Sequence, residues 1–225
     1  MNTRVLSFLA AALAFSATAC AQSVISHFRS LSPISVNTTW NQSVSLPGFD
    51  SGLGVLTQVN LTFSGNISQT LAAENLDPGS RSYHMINSVT LALSNPNGPL
   101  LALPPSVLQQ NGTLAAFDGN FDSGGTSGAT FVQTTPLSAM VLDGNLSNYI
   151  DAALVSFSVG ANGTSILSGA GTIFMQGSAS AGATLNVEYM YSPIPEPDFF
   201  AALLGIGALG LLARHARRPT VAAIF

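Results

Sequence analysis

The chain has 225 residues, 7% of them charged against roughly 25% in an average soluble protein, and its formal net charge is −4. It holds no lysine, and four of its six arginines (Arg4, Arg214, Arg217 and Arg218) fall in the two terminal segments. Residues 22–192 keep only Arg29 and Arg81 against eight acids, a formal charge of −6, which leaves no electrostatic footprint for nucleic acid and excludes that partner.

Residues 1–21 have the form of a secretory leader. Arg4 supplies the positive start, residues 5–15 the apolar stretch, and small residues a cleavage zone, so signal peptidase and the Sec translocon are expected partners. Two cleavage frames compete. Ala19-Cys20-Ala21 places the cut before Gln22, and Ala17-Thr18-Ala19 places it before Cys20, as in a lipoprotein. A cysteine that leaves with the leader is the favoured alternative, since Ala17 stands where a lipoprotein signal has a larger aliphatic residue. Cys20 is the sole cysteine, so the mature body is expected to rest on a packed core without a disulfide.

From residue 22 to 192 the dominant period is two. Val59, Leu61, Phe63, Gly65 and Ile67 alternate with polar neighbours, as a half-buried strand requires. Tyr83, Met85, Val89, Leu91 and Leu93 mark a second strand, in which Ile86 and Asn87 break the pattern. Ala183, Leu185, Val187, Tyr189 and Tyr191 mark a third, and Trp40, Gln42, Val44 and Leu46 an earlier one. Shorter candidates lie at 114–117, 130–133, 139–142, 155–159 and 172–175.

Between the strands stand turn clusters such as Asp77-Pro78-Gly79, Asn95-Pro96-Asn97-Gly98 and Asp143-Gly144-Asn145. Residues 147–154 are the one stretch with helical character, and the Ser/Gly/Ala-rich 165–182 is expected to be flexible or an edge strand. Eight to ten short strands at this spacing predict an all-β fold, an antiparallel β-sandwich of jelly-roll or immunoglobulin-like type. An N-terminal signal helix and a C-terminal transmembrane helix are expected to flank it.

No catalytic set is visible in the body, and an enzyme is not expected. His27 lies near the new N-terminus and His84 on a polar strand face; no nucleophile motif or phosphate loop occurs. Asp118, Asn120 and Asp122, spaced two apart, resemble the start of a calcium loop. The pattern fails at Ser123, where glycine is needed, and at Ala129, where a bidentate glutamate is needed. The stretch therefore reads as a glycine-rich hairpin with acidic turn residues, Phe117 and Phe121 anchoring it in the core, and no metal or cofactor is expected. Sequons at Asn37, Asn41, Asn60, Asn66, Asn111, Asn145 and Asn162 are read as a product of composition. Trp40, Tyr83 and Tyr149 are the few aromatics that could stack on a sugar.

The tail begins with Pro193-Ile194-Pro195-Glu196-Pro197. An apolar run at 199–213 follows, with Phe199, Phe200, Leu203, Leu204, Ile206, Leu209, Leu211 and Leu212 as its lipid-facing bulk. As a helix it would span roughly 22 Å, short of a ~30 Å hydrocarbon core, so snorkelling arginines and local thinning must cover the difference. The basic stop at 214–218, carried by Arg214, Arg217 and Arg218, should stay cytoplasmic and leave the β domain outside.

This order of Pro-Glu-Pro, short apolar helix and arginine cluster resembles the PEP-CTERM sorting signal of Gram-negative bacteria, over residues 193–218. The resemblance implies that Pro195, Glu196 and Pro197 are recognised by exosortase. It also implies a chain held transiently in the inner membrane, processed near that tripeptide, and passed to the cell surface or extracellular matrix, often alongside exopolysaccharide. Residues 219–225 extend past the point where such signals usually stop.

The body has its own resemblance. Leu46-Pro47-Gly48-Phe49-Asp50, the run 53–59, Phe117-Asp118-Gly119, Gly125-Thr126-Ser127-Gly128 and the closing Val187-Glu188-Tyr189-Met190-Tyr191 are similar to the choice-of-anchor E domain, an exported β module without an assigned activity. The expected organisation is thus a leader at 1–21, a sandwich at 22–192 and a sorting tail at 193–225. The expected role is structural or adhesive and associated with exopolysaccharide, with a carbohydrate-binding module as the alternative.

Overall fold

The structure, a computed structural model, describes residues 22–37, 39–194 and 206–207. Nine strands form two facing sheets: β1 (Ser23–Ser35), β2 (Trp40–Leu46), β3 (Gly54–Asn75), β4 (Arg81–Asn95), β5 (Gly98–Ala102), β6 (Ser106–Leu114), β7 (Gly128–Asp143), β8 (Val155–Gly169) and β9 (Ile173–Pro193). The first sheet has the order β1-β9-β3-β7 and the second β2-β8-β4, with β5 and β6 sharing the far side of β4. Every neighbouring pair of named strands is antiparallel. Apart from β4 to β6, which stay in the second sheet, successive strands pass back and forth between the sheets, so the expected sandwich is present and its topology is that of a jelly roll.

The alternation read from the sequence decides which side chains meet between the sheets. Val59, Leu61, Phe63, Ile67 and Leu71 of β3 are fully buried, facing Met85, Val89, Leu91 and Leu93 of β4. Gly65 breaks the row of large side chains. A side chain there would meet Leu91 Cδ1 at 2.4 Å, so the missing Cβ makes room for the opposite sheet.

Two apolar clusters fill the interior. The larger holds Phe63, Leu91, Phe157 and Tyr189; the smaller holds Leu71, Tyr83, Met85, Leu108 and Leu114. Between them lies a buried polar belt. Gln69 Nε2 donates across the gap to the Asn87 carbonyl at 2.8 Å, and Asn87 Nδ2 donates back to the Ser178 carbonyl at 2.9 Å. Ser106 Oγ closes the belt by donating to Gln69 Oε1 at 2.8 Å. Each amide therefore holds the backbone of the opposite sheet. The lapse at Asn87 is a cross-sheet clamp, because a buried amide is tolerated where its hydrogen bonds are made.

Four expectations need correction. The strands are longer than expected, since β3 has 22 residues and β9 has 21. The candidates at 130–133 and 139–142 are one strand, β7. Residues 165–182 are ordered strand around a short turn, and most of the stretch is an edge as expected: 165–169 of β8 pair with β4 alone and 173–179 of β9 with β3 alone, so only the flexible alternative is corrected. The helical stretch at 147–154 shrinks to a 3-10 turn at Leu146–Asn148. The signal helix and most of the tail lie outside the described residues; beyond Ile194, Ile206 and Gly207 alone are described, as helical and exposed. Among the described residues no helix is long and apolar enough to cross a membrane.

Candidate functional site

Both ends of the body leave from one pole of the sandwich. Ser23 at the start of β1 pairs with Tyr191, and Pro193 at the end of β9 pairs with Gly54 at the start of β3. The Ile194 N–H still donates to the Leu53 carbonyl, at 3.3 Å. At roughly 3.3 Å per residue, β3 runs about 70 Å from this pole to the other.

An aromatic knot ties the terminal pole together. Tyr189 is fully buried, with Phe49, Tyr149 and His27 each about 6.0 Å away between ring centroids, and Phe49 lies 5.2 Å from Tyr191. Both buried phenols have partners. Tyr189 donates to the Pro47 carbonyl at 2.9 Å, and Tyr149 donates to Asp143 Oδ2 at 2.6 Å. Burial pushes the Tyr189 hydroxyl up to about 12; burial and then the Asp143 carboxylate push Tyr149 well above the usual phenol range.

The loops at this pole are tied with equal economy. Asp50 Oδ1 accepts from the Gly52 N–H at 2.8 Å, and Asp151 accepts from both the N–H and the hydroxyl of Ser51. The Ser51 N–H, followed by its hydroxyl, holds the Asp151 carboxyl below the ordinary carboxylate value. These contacts tie the loops around the point where the described chain ends, directly upstream of residues 195–197. Pro195, Glu196 and Pro197 themselves lie outside the described residues. So do the anchor side chains except Ile206, the stop residues Arg214, Arg217 and Arg218, and the cleavage residues Ala19 and Ala21.

The opposite pole carries the acidic loop. Asp118 Oδ1 accepts from the Asn120 N–H at 2.9 Å, and Asp122 Oδ1 accepts from the Gly124 N–H at 2.8 Å. Each aspartate thus closes its own turn. Among the described residues no three His, Cys, Asp or Glu side chains converge as a metal set. Phe117 and Phe121 are 37% and 60% exposed, so neither is the core anchor expected; Phe121 packs instead on Phe174, with centroids 5.0 Å apart.

What the loop covers is Glu74. By the alternation of β3 this side chain falls on the outer face of the first sheet, yet it is 0% exposed. Ser127 Oγ donates to Glu74 Oε1 at 2.6 Å, while Oε2 is buried without a hydrogen-bond partner. A Cβ at Gly128 would come within 2.5 Å of that oxygen and within 2.2 Å of the Gly124 nitrogen, so only glycine lets the loop lie this close. Beside it, Asn75 Nδ2 donates to the carbonyls of Gly79 and Ala115 and Oδ1 accepts from the Asp77 N–H. The Thr172 N–H and then Arg81, its ion-pair partner, hold the Asp77 carboxyl below its ordinary value.

The three stacking candidates are not open platforms. Tyr83 and Tyr149 are buried and Trp40 is half-buried, its indole nitrogen without a partner. His84 lies on the outer face of the second sheet, its ring 3.3 Å from Gln109 Nε2, and its cross-strand neighbour Ser168 donates its hydroxyl to the His84 carbonyl at 3.4 Å. The middle of the first sheet's outer face is lined by neutral hydroxyls and amides, among them Asn60, Thr62, Ser64, Thr184 and Asn186, with Glu188 as the charged exception. Sequence reasoning missed Glu74 and Gln69; Asn87 left a signal, its break in the strand pattern.

No family model matches the chain, and no curated protein does. Among solved structures, the chain is similar to dimeric latent PorU from Porphyromonas gingivalis, with 12% identity and a TM-score of 0.30 over 76% of this chain and 13% of that one. It is similar to the infectious bursal disease virus Gt strain structure, with 13% identity and a TM-score of 0.22 over 75% and 38% of the two chains. A third likeness is to the trichodysplasia spinulosa-associated polyomavirus VP1 in complex with GM1 oligosaccharide, with 10% identity and a TM-score of 0.20 over 76% and 94%. The chain thus spans a small part of the first two, and at these scores none bears on activity.

Proposed function

We propose that this protein is an exported jelly-roll module, held briefly in the inner membrane by its tail, released by exosortase, and retained as a structural or adhesive component of the cell surface or matrix. The observation that carries this reading is the tail: Pro195-Glu196-Pro197, the apolar run 199–213 and the arginines at 214–218 follow a β body that has no catalytic set. The geometry is compatible with such handling. The described chain ends at a tightly bonded pole, so an enzyme can take hold of the tail without opening the sandwich, and a Pro-Glu-Pro stretch is extended and stiff in itself.

Association with exopolysaccharide belongs to the same proposal. With Tyr83 and Tyr149 buried, the hydroxyl- and amide-lined outer face is the surface this proposal assigns to glycan contact. The test is to replace Pro195, Glu196 and Pro197 by alanine in the native host. The proposal expects the variant to accumulate in the membrane fraction with its tail intact. Normal shortening and release of that variant would overturn the sorting assignment.

A further inference from the structure

From the two edges of the first sheet we infer that copies of this chain pair side by side, the β7 edge of one copy adding to the β1 edge of the next. The first sheet has four strands with all neighbours antiparallel, so its edges β1 and β7 run in opposite directions. A copy moved sideways without turning over therefore continues an antiparallel ladder. The second sheet obeys the same parity: β2 and β5 also run in opposite directions. Asn41 pairs with Gly160, Gly160 with Ala92 and Ala92 with Ala102, which puts both edges at one level.

The usable parts of the two edges also coincide. Each is blunted by a proline, which removes a ladder donor. Pro136 pairs with Asn66, which pairs with Gly182, and Pro33 packs beside Gly182 on the far edge. Both prolines thus sit on one cross-strand row. On the terminal side of that row, Leu31 is level with Leu137 and Ile25 with Asp143, through Ala183 and Gly65 and through Tyr189 and Val59. Two proline-free windows of equal length, 25–31 and 137–143, face outward at the same height.

Side-chain chemistry matches these windows. Residues 137–142, Leu-Ser-Ala-Met-Val-Leu, contain no charge, glycine or proline, the composition that favours strand addition. Phe28, Asn186, Thr62 and Met140 form one row across the outer face, apolar at its two ends and polar between. Phe28 is 74% exposed and Met140 62%, and sideways pairing would set them against each other. No like charges meet across this pairing, since β1 carries Arg29 and no acid and β7 carries no cation. Arg29 forms no ion pair among the described residues.

This contact is heterologous, so it propagates rather than closes, and every copy keeps its terminal pole on the same side. A seven-residue ladder falls at the small end of protein interfaces, below ~1,200 Å², so association should depend strongly on local concentration. The inference does not rest on the sorting assignment, because neither window belongs to the tail.

The test uses the full chain in detergent with Cys20→Ala, carrying Ser30→Cys and Ser138→Cys, two outer-face positions on one row. Mild oxidation should give a ladder of dimers, trimers and larger species from the double variant, and none from either single variant. Adding Met140→Lys should weaken association at least tenfold by sedimentation while leaving the thermal melt unchanged. Efficient dimers from either single variant would mean two-fold pairing and would overturn the inference. So would a monomer at every concentration, or association that survives Met140→Lys, which would assign it to the tail.

Discussion

The two poles of the sandwich satisfy their buried polar groups in different ways. At the terminal pole both buried phenols have acceptors, and the loops are tied by Asp50 and Asp151. At the far pole a single loop covers a buried carboxyl, and one of its two oxygens has no partner. The first arrangement resists opening where the chain is attached. The second leaves a local cost that the loop must offset, and it makes the far pole the less stable part of the fold.

The largest expected effect lies at the terminal pole. Tyr189→Ala removes a fully buried ring from the centre of the aromatic knot and should lower unfolding free energy by about 3–5 kcal/mol in urea titrations. A loss below ~1 kcal/mol would erase the distinction between the poles. Between the poles, Gln69→Ala deprives the Asn87 carbonyl of its side-chain donor and the Ser106 hydroxyl of one of its two partners, and should cost about 1–3 kcal/mol by the same measurement.

At the far pole the sign should reverse. Glu74→Gln keeps the shape of the side chain and replaces the buried carboxyl group, one oxygen of which has no partner, by a neutral amide, so a gain of ~1–2 kcal/mol is expected, read as a higher melting temperature. A clear loss would show that the carboxylate is better satisfied than its contacts indicate. Phe121→Ala, on an exposed ring, should change global stability by less than ~1 kcal/mol while speeding amide exchange in residues 118–127.

Titration separates the poles again. Tyr189 has a folded value raised from about 10 to about 12, so its contribution is complete below pH 10 and is lost as pH rises towards 12. Alkaline unfolding should therefore start at the terminal pole and be visible as tyrosinate absorbance appearing together with loss of structure. Asp77 and Asp151 have lowered values, so their contributions are present above the ordinary carboxylate range and fade as pH falls below it. One aspartate belongs to each pole, so acid should weaken both alike.

Much of the sandwich was legible because strand alternation and burial are the same fact. Val59 to Ile67 and Ala183 to Tyr189 face the core as their period predicts. β1 was not legible: its inward positions are Ile25, His27, Arg29 and Leu31, and an edge strand half in solvent needs no apolar run. Strand lengths were hidden for a related reason. The Ser, Gly and Ala of residues 176–182 look like a linker by composition, yet they continue β9 along β3, with β1 joining only from Ser180 onward. The acidic loop gave its turn chemistry away through Asp118 and Asp122, but nothing local to it points to Glu74, which reaches it only through the pairing of β3 with β7.

The central claim, export followed by tail-directed sorting, is tested most directly by the masses of the two ends of the protein recovered from its native host. The account predicts an N-terminus at Gln22, with Cys20 as the lipoprotein alternative, and a C-terminus cut near Pro195-Glu196-Pro197 that lacks the 199–213 run. A protein recovered with Met1 and Phe225 both in place would contradict it.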